Sequence, residues 1–172
     1  MPQNNVYLSL GSNLGDREQN ISRAIRLLSE MEGFELIRAS SIYITEPVDM
    51  DESAPTFFNL VVKGQFKFTP AELLSNIEKI EEKLGRSDKG NYQPRTIDID
   101  ILLFGTTIVK NEKLTIPHDK MTRRPFVLVP LLQIEPDLIF PVSQKRLDSY
   151  ISQKEKESLI LYKDFDIKYV RT

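Results

Sequence analysis

Two aspartates two positions apart carry the strongest chemical signal in this sequence. Asp98 and Asp100 lie in PRTIDIDILLFG, residues 94–105. Successive side chains of an extended strand alternate faces, so both carboxylates point to one side while Ile97, Ile99 and Ile101 point to the other. One face is then core. The other presents two acids about one strand repeat apart, a geometry suited to holding Mg²⁺ through oxygen ligands. A bare D-x-D also suits an edge strand with a solvated acidic face. Arg95 weighs against that plainer reading: it sits three residues before the first acid, and like charges held this close repel unless a cation or a phosphate-bound metal joins them. An arginine beside a metal-binding acid pair points to a nucleotide phosphate chain.

His118, the only histidine, lies in TIPHDKMTRRPF, close in sequence to Lys113, Arg123 and Arg124. Arginine makes bidentate phosphate contacts and histidine donates to a phosphoryl oxygen, so this run could oppose an acid-bound metal across a triphosphate, although a run of solvated charges fits as well. Phe57 and Asn59 share one face of a predicted strand, with Phe58, Leu60 and Val62 on the other. A phenylalanine at such a position is usually core, yet facing a loop-lined pocket it could stack on a planar ring while the Asn59 amide reads an amide-like ring edge. No G-x-x-x-x-G-K-[ST], H-R-D or D-F-G motif occurs, so a P-loop ATPase or protein kinase is unsupported. Gly11 and Gly15 of GSNLGD are read as turn chemistry, hence structural.

The elements that must position these residues follow from apolar spacing. Residues 6–10 form a short strand that stops at GSNLGD, and Asp16 with Gln19 has the form of a capping box opening a helix. Ile21, Ala24, Ile25 and Leu28 give that helix one apolar stripe, and Gly33 ends it. Residues 34–45 are rich in β-branched and aromatic types and predict a second strand, followed by the polar loop EPVDMDESAP. FFNLVVKGQFKF, residues 57–68, predicts a third strand. Thr69, Pro70 and Glu72 supply an N-cap, a proline at N1 and a capping-box acid for a second helix, whose stripe is Leu73, Leu74, Ile77, Ile80 and Leu84 and whose C-terminal cap is Gly85. RSDKGNYQP is a second polar loop, and residues 97–104 form a fourth strand.

The order strand, helix, strand, strand, helix, strand is that of an α+β, ferredoxin-like split βαβ sandwich, an antiparallel sheet with helices on one face. Beyond it, residues 106–120 suggest a hairpin or irregular excursion. RRPFVLVPLLQIEPDLIFP suggests an apolar helical segment interrupted by Pro130 and Pro136. SLILY and FDIKYV could be two short strands or a docked tail.

A chain of 172 residues, 40% hydrophobic, has material for one well-buried domain and not for two ordinary ones. Lys and Arg total 23 against 25 Asp and Glu, which provides no general attraction to nucleic acid or to an anionic membrane, so phosphate binding must be local. The absence of Cys excludes disulfides, thiolate metal sites and a cysteine nucleophile. Neither a leader nor a membrane span is evident, and a soluble cytoplasmic protein is the expectation. The main rival to an enzyme is a ferredoxin-like binding module. An RNA-recognition domain would show exposed strand aromatics in a basic setting, and a regulatory ligand-binding module would not need Asp98, Asp100, Arg95 and His118 together.

Taken in order, LSLGSNLGD, TEPV, FFN, PRTIDIDILLFG, IPHDKMTRRPF and LVPLLQIEPDLIFP closely resemble the 6-hydroxymethyl-7,8-dihydropterin pyrophosphokinases of folate biosynthesis, from Val6 to about Tyr150. The resemblance implies a single pyrophosphokinase domain over residues 1–150 with a C-terminal extension, 151–172, docked on it, acting as a monomer with no nucleic-acid or membrane partner. It implies transfer of the terminal diphosphate of ATP to the pterin hydroxymethyl group, release of AMP, and two Mg²⁺ ions bridging protein and phosphates. It puts Asp98 and Asp100 on the metal, and Arg95, His118 and Arg124 on the phosphates, with Arg86 in the loop that covers ATP. Glu81, Ile101, Lys113 and Thr115 fall around the nucleotide. The pterin falls between Phe57 and Phe126, its ring edge read by Asn59 and by main-chain groups of Thr45 and Val48.

The loops RSDKGNYQP and EPVDMDESAP become lids over the two substrates. Within the first, Lys89 stands where a second arginine can occur and Tyr92 where a tryptophan can occur. Asp119 stands where an aromatic can occur beside the adenine. No residue stands out as a general base, and a loose phosphoryl-transfer transition state needs little help from one.

Overall fold

A computed structural model describes residues 3–47, 53, 55–85 and 96–168. Its central strands are the two that are buried on both faces over most of their length, β1 (Asn4–Ser12) and β4 (Phe57–Phe66). They pair antiparallel, and β1 pairs on its other edge with β5 (Asp98–Phe104). The second edge of β4 takes β2 (Phe34–Ala39) and β3 (Ile42–Thr45) in succession. Two helices cover one face of this sheet, α1 (Arg17–Glu30) and α2 (Pro70–Lys83). Their stripes, Ile21, Ala24, Ile25 and Leu28 with Leu73, Ile77, Ile80 and Leu84, close on Val6, Leu8, Leu10, Phe58, Leu60, Val62, Ile99 and Ile101. This is the ferredoxin-like arrangement expected from the order of elements.

Local chemistry explains most boundaries. Asp16 caps α1 by accepting the Gln19 N–H at 3.1 Å; α1 ends at Glu30, short of Gly33, which instead takes φ +81° in the following turn. Thr69 and Glu72 form a full reciprocal capping box on α2.

The single strand expected over residues 34–45 is two strands. Its interruption is Ser40–Ser41: Ser40 Oγ accepts the Val61 N–H at 2.9 Å, and the Ser41 N–H donates to Gln133 Oε1 at 2.9 Å. Serine side chains compete with the ladder for backbone partners, which β-propensity does not register.

The opposite face carries a second core, Tyr7, Val61 and Leu103 against Val127, Leu128, Leu131 and Ile134 of α3 (Pro125–Ile134). The expected interruption at Pro130 does not occur. Pro130 lacks the N–H that would reach the Phe126 carbonyl, but the ring is buried in an almost wholly apolar helix, and that packing outweighs one missing bond. Pro136 lies beyond the helix end. Residues 106–120 contain a two-stranded hairpin, β6 (Val109–Lys110) and β7 (Thr115–Ile116).

The segment after Tyr150 forms α4 (Gln153–Glu157) and then β8 (Ile160–Lys163), which extends the sheet by pairing with β3. FDIKYV is not a strand over its described residues; Phe165 and Ile167 pack instead on the α1–α2 core. No described helix is long and apolar enough to cross a membrane.

Candidate active site

Strand register assembles the site. Gly11 lies opposite Asp98 on one side and Asn59 on the other, and Asn59 lies opposite Tyr43. Directly paired residues project to the same face, so Asp98, Gly11, Asn59 and Tyr43 form one row across four strands. Adjacent rows place Asp100 opposite Ser9 and Phe57 opposite Thr45. This is the face turned away from α1 and α2, because Ile97, Ile99, Phe58 and Leu60 belong to the helical core. The alternation predicted for both strands therefore holds, and the acid pair shares a face with Phe57 and Asn59.

His118 joins the acids through a bulge. The β1–β5 register shifts after the Ser9–Asp100 and Leu8–Ile101 pairs, so that Tyr7 meets Leu103 and Leu102 is the extra residue. The Leu102 carbonyl accepts the His118 N–H at 3.0 Å, docking the loop after β7 onto β5. His118 Nδ1 accepts the Lys120 N–H at 3.2 Å, which assigns the proton of the neutral ring to Nε2. Burial pushes the imidazole below its ordinary pKa. The carboxylates of Asp100, Asp119 and Asp98 act against this and the Arg124 guanidinium acts with it, leaving a net lowering. Arg124 is the N-cap residue of α3, and its guanidinium lies 5.5 Å from the centroid of the Phe126 ring.

The Asn59 side chain is buried, 5% exposed, and its Nδ2 donates to Thr45 Oγ1 at 2.5 Å. A Cβ on Gly11 would stand 2.7 Å from Asn59 Oδ1 and 3.5 Å from the Phe57 ring. Gly11 is thus the floor on which the amide rests, not the turn residue expected. A glycine inside a strand pattern is a signal for such close approach. Gly15 does serve the turn, at φ +69°, where Asn20 Nδ2 also holds the Leu14 carbonyl at 2.8 Å.

Other candidates fall less directly on this face. Glu81, 3% exposed on α2, accepts the Ile99 N–H at 3.0 Å and so ties the edge of β5 to the helix. The Ile101 side chain is in the helical core. Lys113 is exposed in the β6–β7 turn and Thr115 half-buried on β7. Val48, Arg86, Lys89, Tyr92 and Arg95 lie outside the described residues. Sequence reasoning passed over Tyr43, whose row position emerges only from pairing, and Arg17, whose side chain reaches Thr56.

The described residues contain no group of three or more His, Cys, Asp or Glu side chains able to hold a metal ion. Two half-buried carboxylates on one strand face are nevertheless a donor set that Mg²⁺ uses, since it commonly takes one or two carboxylates and completes its shell with substrate phosphates and water.

The fold and this face define a class, ferredoxin-like α+β proteins whose sheet is covered by α1 and α2 on one face and carries the candidate residues on the other. A crystal structure of HPPK-DHPS in complex with substrates superposes with TM-score 0.67 at 18% identity over 87% of this chain and 43% of that one. A Plasmodium falciparum HPPK-DHPS chain superposes at 0.68, again at 18% identity, over 91% and 47%. These similarities concern the fold. In sequence, the family model described as 7,8-dihydro-6-hydroxymethylpterin-pyrophosphokinase (HPPK) matches residues 7–136.

The chain belongs to this family of pyrophosphokinases, ATP-dependent diphosphotransferases. It is 38% identical over 139 residues to the 2-amino-4-hydroxy-6-hydroxymethyldihydropteridine pyrophosphokinase of Haemophilus influenzae, covering 81% of this chain and 86% of that protein. It is 42% identical over 132 residues to the Bacillus subtilis protein of the same name, covering 76% and 78%. The folic acid synthesis protein fol1 of Schizosaccharomyces pombe is 37% identical over 96% of this chain, which spans 22% of that longer protein.

Proposed function

We propose that this chain transfers the terminal diphosphate of ATP to the hydroxymethyl oxygen of 6-hydroxymethyl-7,8-dihydropterin, with Mg²⁺ and with release of AMP. The observation that carries the proposal is the row Asp98–Gly11–Asn59: an acid pair suited to metal and phosphate lies two strands from a buried amide suited to a ring edge, on one face.

Each residue then has a task. Phe57 and Phe126 stack on the two faces of the pterin ring. Asn59, braced by Thr45 and seated on Gly11, reads the ring edge together with main-chain groups of Thr45 and Val48. Asp98 and Asp100 hold Mg²⁺, which when bound neutralises phosphate charge and polarises the transferring group. His118 donates from Nε2 to a phosphoryl oxygen, and Arg124, Arg95 and Arg86 pair with the phosphates. Thr115, Lys113 and the Ile101 main chain border the nucleotide, and Glu81 acts there by fixing β5.

The pterin hydroxymethyl oxygen attacks the β-phosphorus in line. The bond from β-phosphorus to the oxygen it shares with the α-phosphate breaks, AMP leaves with that oxygen, and the hydroxyl proton is lost to solvent. Catalysis comes from position and charge.

The test is acceptor dependence. AMP should form from ATP and Mg²⁺ only when the reduced pterin carries its hydroxymethyl group. Equal AMP formation with the 6-methyl analogue would mean hydrolysis and overturn the proposal.

A further inference from the structure

Arg17 is the first residue of α1, where a cation opposes the helix dipole and costs a few tenths of a kcal/mol. Helix stability does not account for it. Its side chain turns back to β4, where Nη1 donates to the Thr56 carbonyl at 2.8 Å and to Thr56 Oγ1 at 2.7 Å, and the guanidinium lies 3.9 Å from the centroid of the Phe58 ring. Asn13 Nδ2 donates to the neighbouring Pro55 carbonyl at 3.3 Å. Thr56 immediately precedes Phe57, so the chain entering the ring-stacking position is held from the helical side of the sheet. Tyr162 of β8 shares the Phe58 ring, at 4.3 Å between centroids, and its hydroxyl donates to Glu18 Oε2 at 3.1 Å.

We propose that Arg17 is a positioning residue for the pterin: by clamping Thr56 and seating on Phe58, it fixes Phe57 and Asn59 at the heights the ring requires. Without the clamp, Phe57 would be held only by its pairing with Thr45, at the last position of the β3–β4 ladder. With it, two charge-assisted hydrogen bonds and an aromatic seat share the fixing. Arg17 touches no reacting atom. Its effect therefore falls on pterin affinity, and not on the nucleotide or the chemical step. The inference rests on the pterin reading of Phe57 and Asn59 given above.

The experiment is calorimetric titration of the full chain with 6-hydroxymethyl-7,8-dihydropterin and, separately, with an unhydrolysable ATP analogue and Mg²⁺, alongside steady-state kinetics. Arg17→Gln should weaken pterin binding about ten-fold, roughly one charge-assisted hydrogen bond, and raise the pterin KM by a similar factor. ATP-analogue affinity and kcat should stay within about two-fold. Arg17→Lys keeps the charge but loses the planar guanidinium seated on the Phe58 ring, and should recover part of the affinity. A merely structural role would lower Tm and active fraction without moving the pterin KM.

Thr56→Val, which removes only the Oγ1 acceptor, should shift pterin affinity by about three-fold and carries the test should Arg17→Gln fail to fold. Wild-type pterin affinity in folded Arg17→Gln, or in Thr56→Val if that variant carries the test, would overturn the proposal. If Phe57→Ala also binds pterin normally, the pterin site itself is wrong; if Phe57→Ala loses pterin and Arg17→Gln does not, only the clamp is.

Discussion

At the scale of single residues, the site depends on what one glycine leaves out. A methyl on Gly11 would meet Asn59 Oδ1 at 2.7 Å, so Gly11→Ala must displace the amide or the strand beneath it. Pterin affinity in that variant is expected to fall by about ten-fold or more, since misplacement of this order is costly for oriented polar contacts; titration with the pterin measures it. Asp98→Asn and Asp100→Asn should each cut turnover at least about a hundred-fold, as loss of a principal charge-stabilising contact does, while pterin affinity and Tm hold. Product assays with and without excess Mg²⁺ check this, and near-normal turnover in either variant would remove the metal assignment.

The acid pair, Phe57 and Asn59 were legible in the sequence because period-two alternation assigns a face to each strand residue without knowledge of its neighbours. Gly11 and Arg17 were not, because what they do is defined by residues on other strands, Asn59 and Thr56, and register is not written in either segment alone.

At the scale of elements, β5 is the edge strand that carries both acids, and it is held where it has no strand partner. Glu81 accepts the Ile99 N–H from α2, and the Leu102 bulge takes the His118 N–H. Glu81→Ala leaves that buried donor without its carboxylate and should cost about 2 kcal/mol of stability, readable as a lower denaturant midpoint.

The α3 end of the sheet makes a second test, through pH. Burial alone would raise the Glu135 pKa, but hydrogen bonds from Lys63 and Tyr7, with the charges of Lys63 and Arg38, hold it below its ordinary value. The unfolded chain then takes up this proton first, so the stability from Glu135 is present above the ordinary carboxylate value and lost as pH falls through it and on through the lowered one. Tyr7 is the mirror case: burial, then the hydrogen bond to Glu135 and that carboxylate's charge, raise its hydroxyl despite Arg38, and its contribution is lost as pH rises past the ordinary tyrosine value. Tm measured against pH should show a flatter acid arm for Glu135→Gln and a flatter alkaline arm for Tyr7→Phe.

Caps and apolar stripes made the starts of α1 and α2 and the end of α2 legible, while α1 stops at Glu30 and not at Gly33. The break at Ser40–Ser41 and the passage of α3 through Pro130 were not, since both are decided by tertiary partners that override local preference.

At the scale of the whole molecule, the chain is a helix-covered sheet whose other face is divided between α3 and the site, with residues 152–168 returning to extend the sheet and cover the α1–α2 core. Tyr162 on Phe58, Lys163 on Glu18 at 2.7 Å and Ser41 donating to Asp164 at 2.7 Å fasten that return. Deleting residues 152–172 uncovers the β3 edge and part of the core contacted by Phe165 and Ile167, and should lower stability by about 3 kcal/mol or more. Thermal unfolding of the shortened chain measures it. The order of elements made the ferredoxin-like plan visible from sequence, whereas the last strand was ambiguous because its partner, β3, lies more than a hundred residues earlier.

The central claim is that a diphosphate, not a single phosphate, moves between the two halves of the open face. Phosphorus-31 NMR of the completed reaction with ATP, Mg²⁺ and 6-hydroxymethyl-7,8-dihydropterin tests it most directly. The account predicts AMP together with a pterin ester carrying two coupled phosphorus resonances; ADP together with a pterin monophosphate would contradict it.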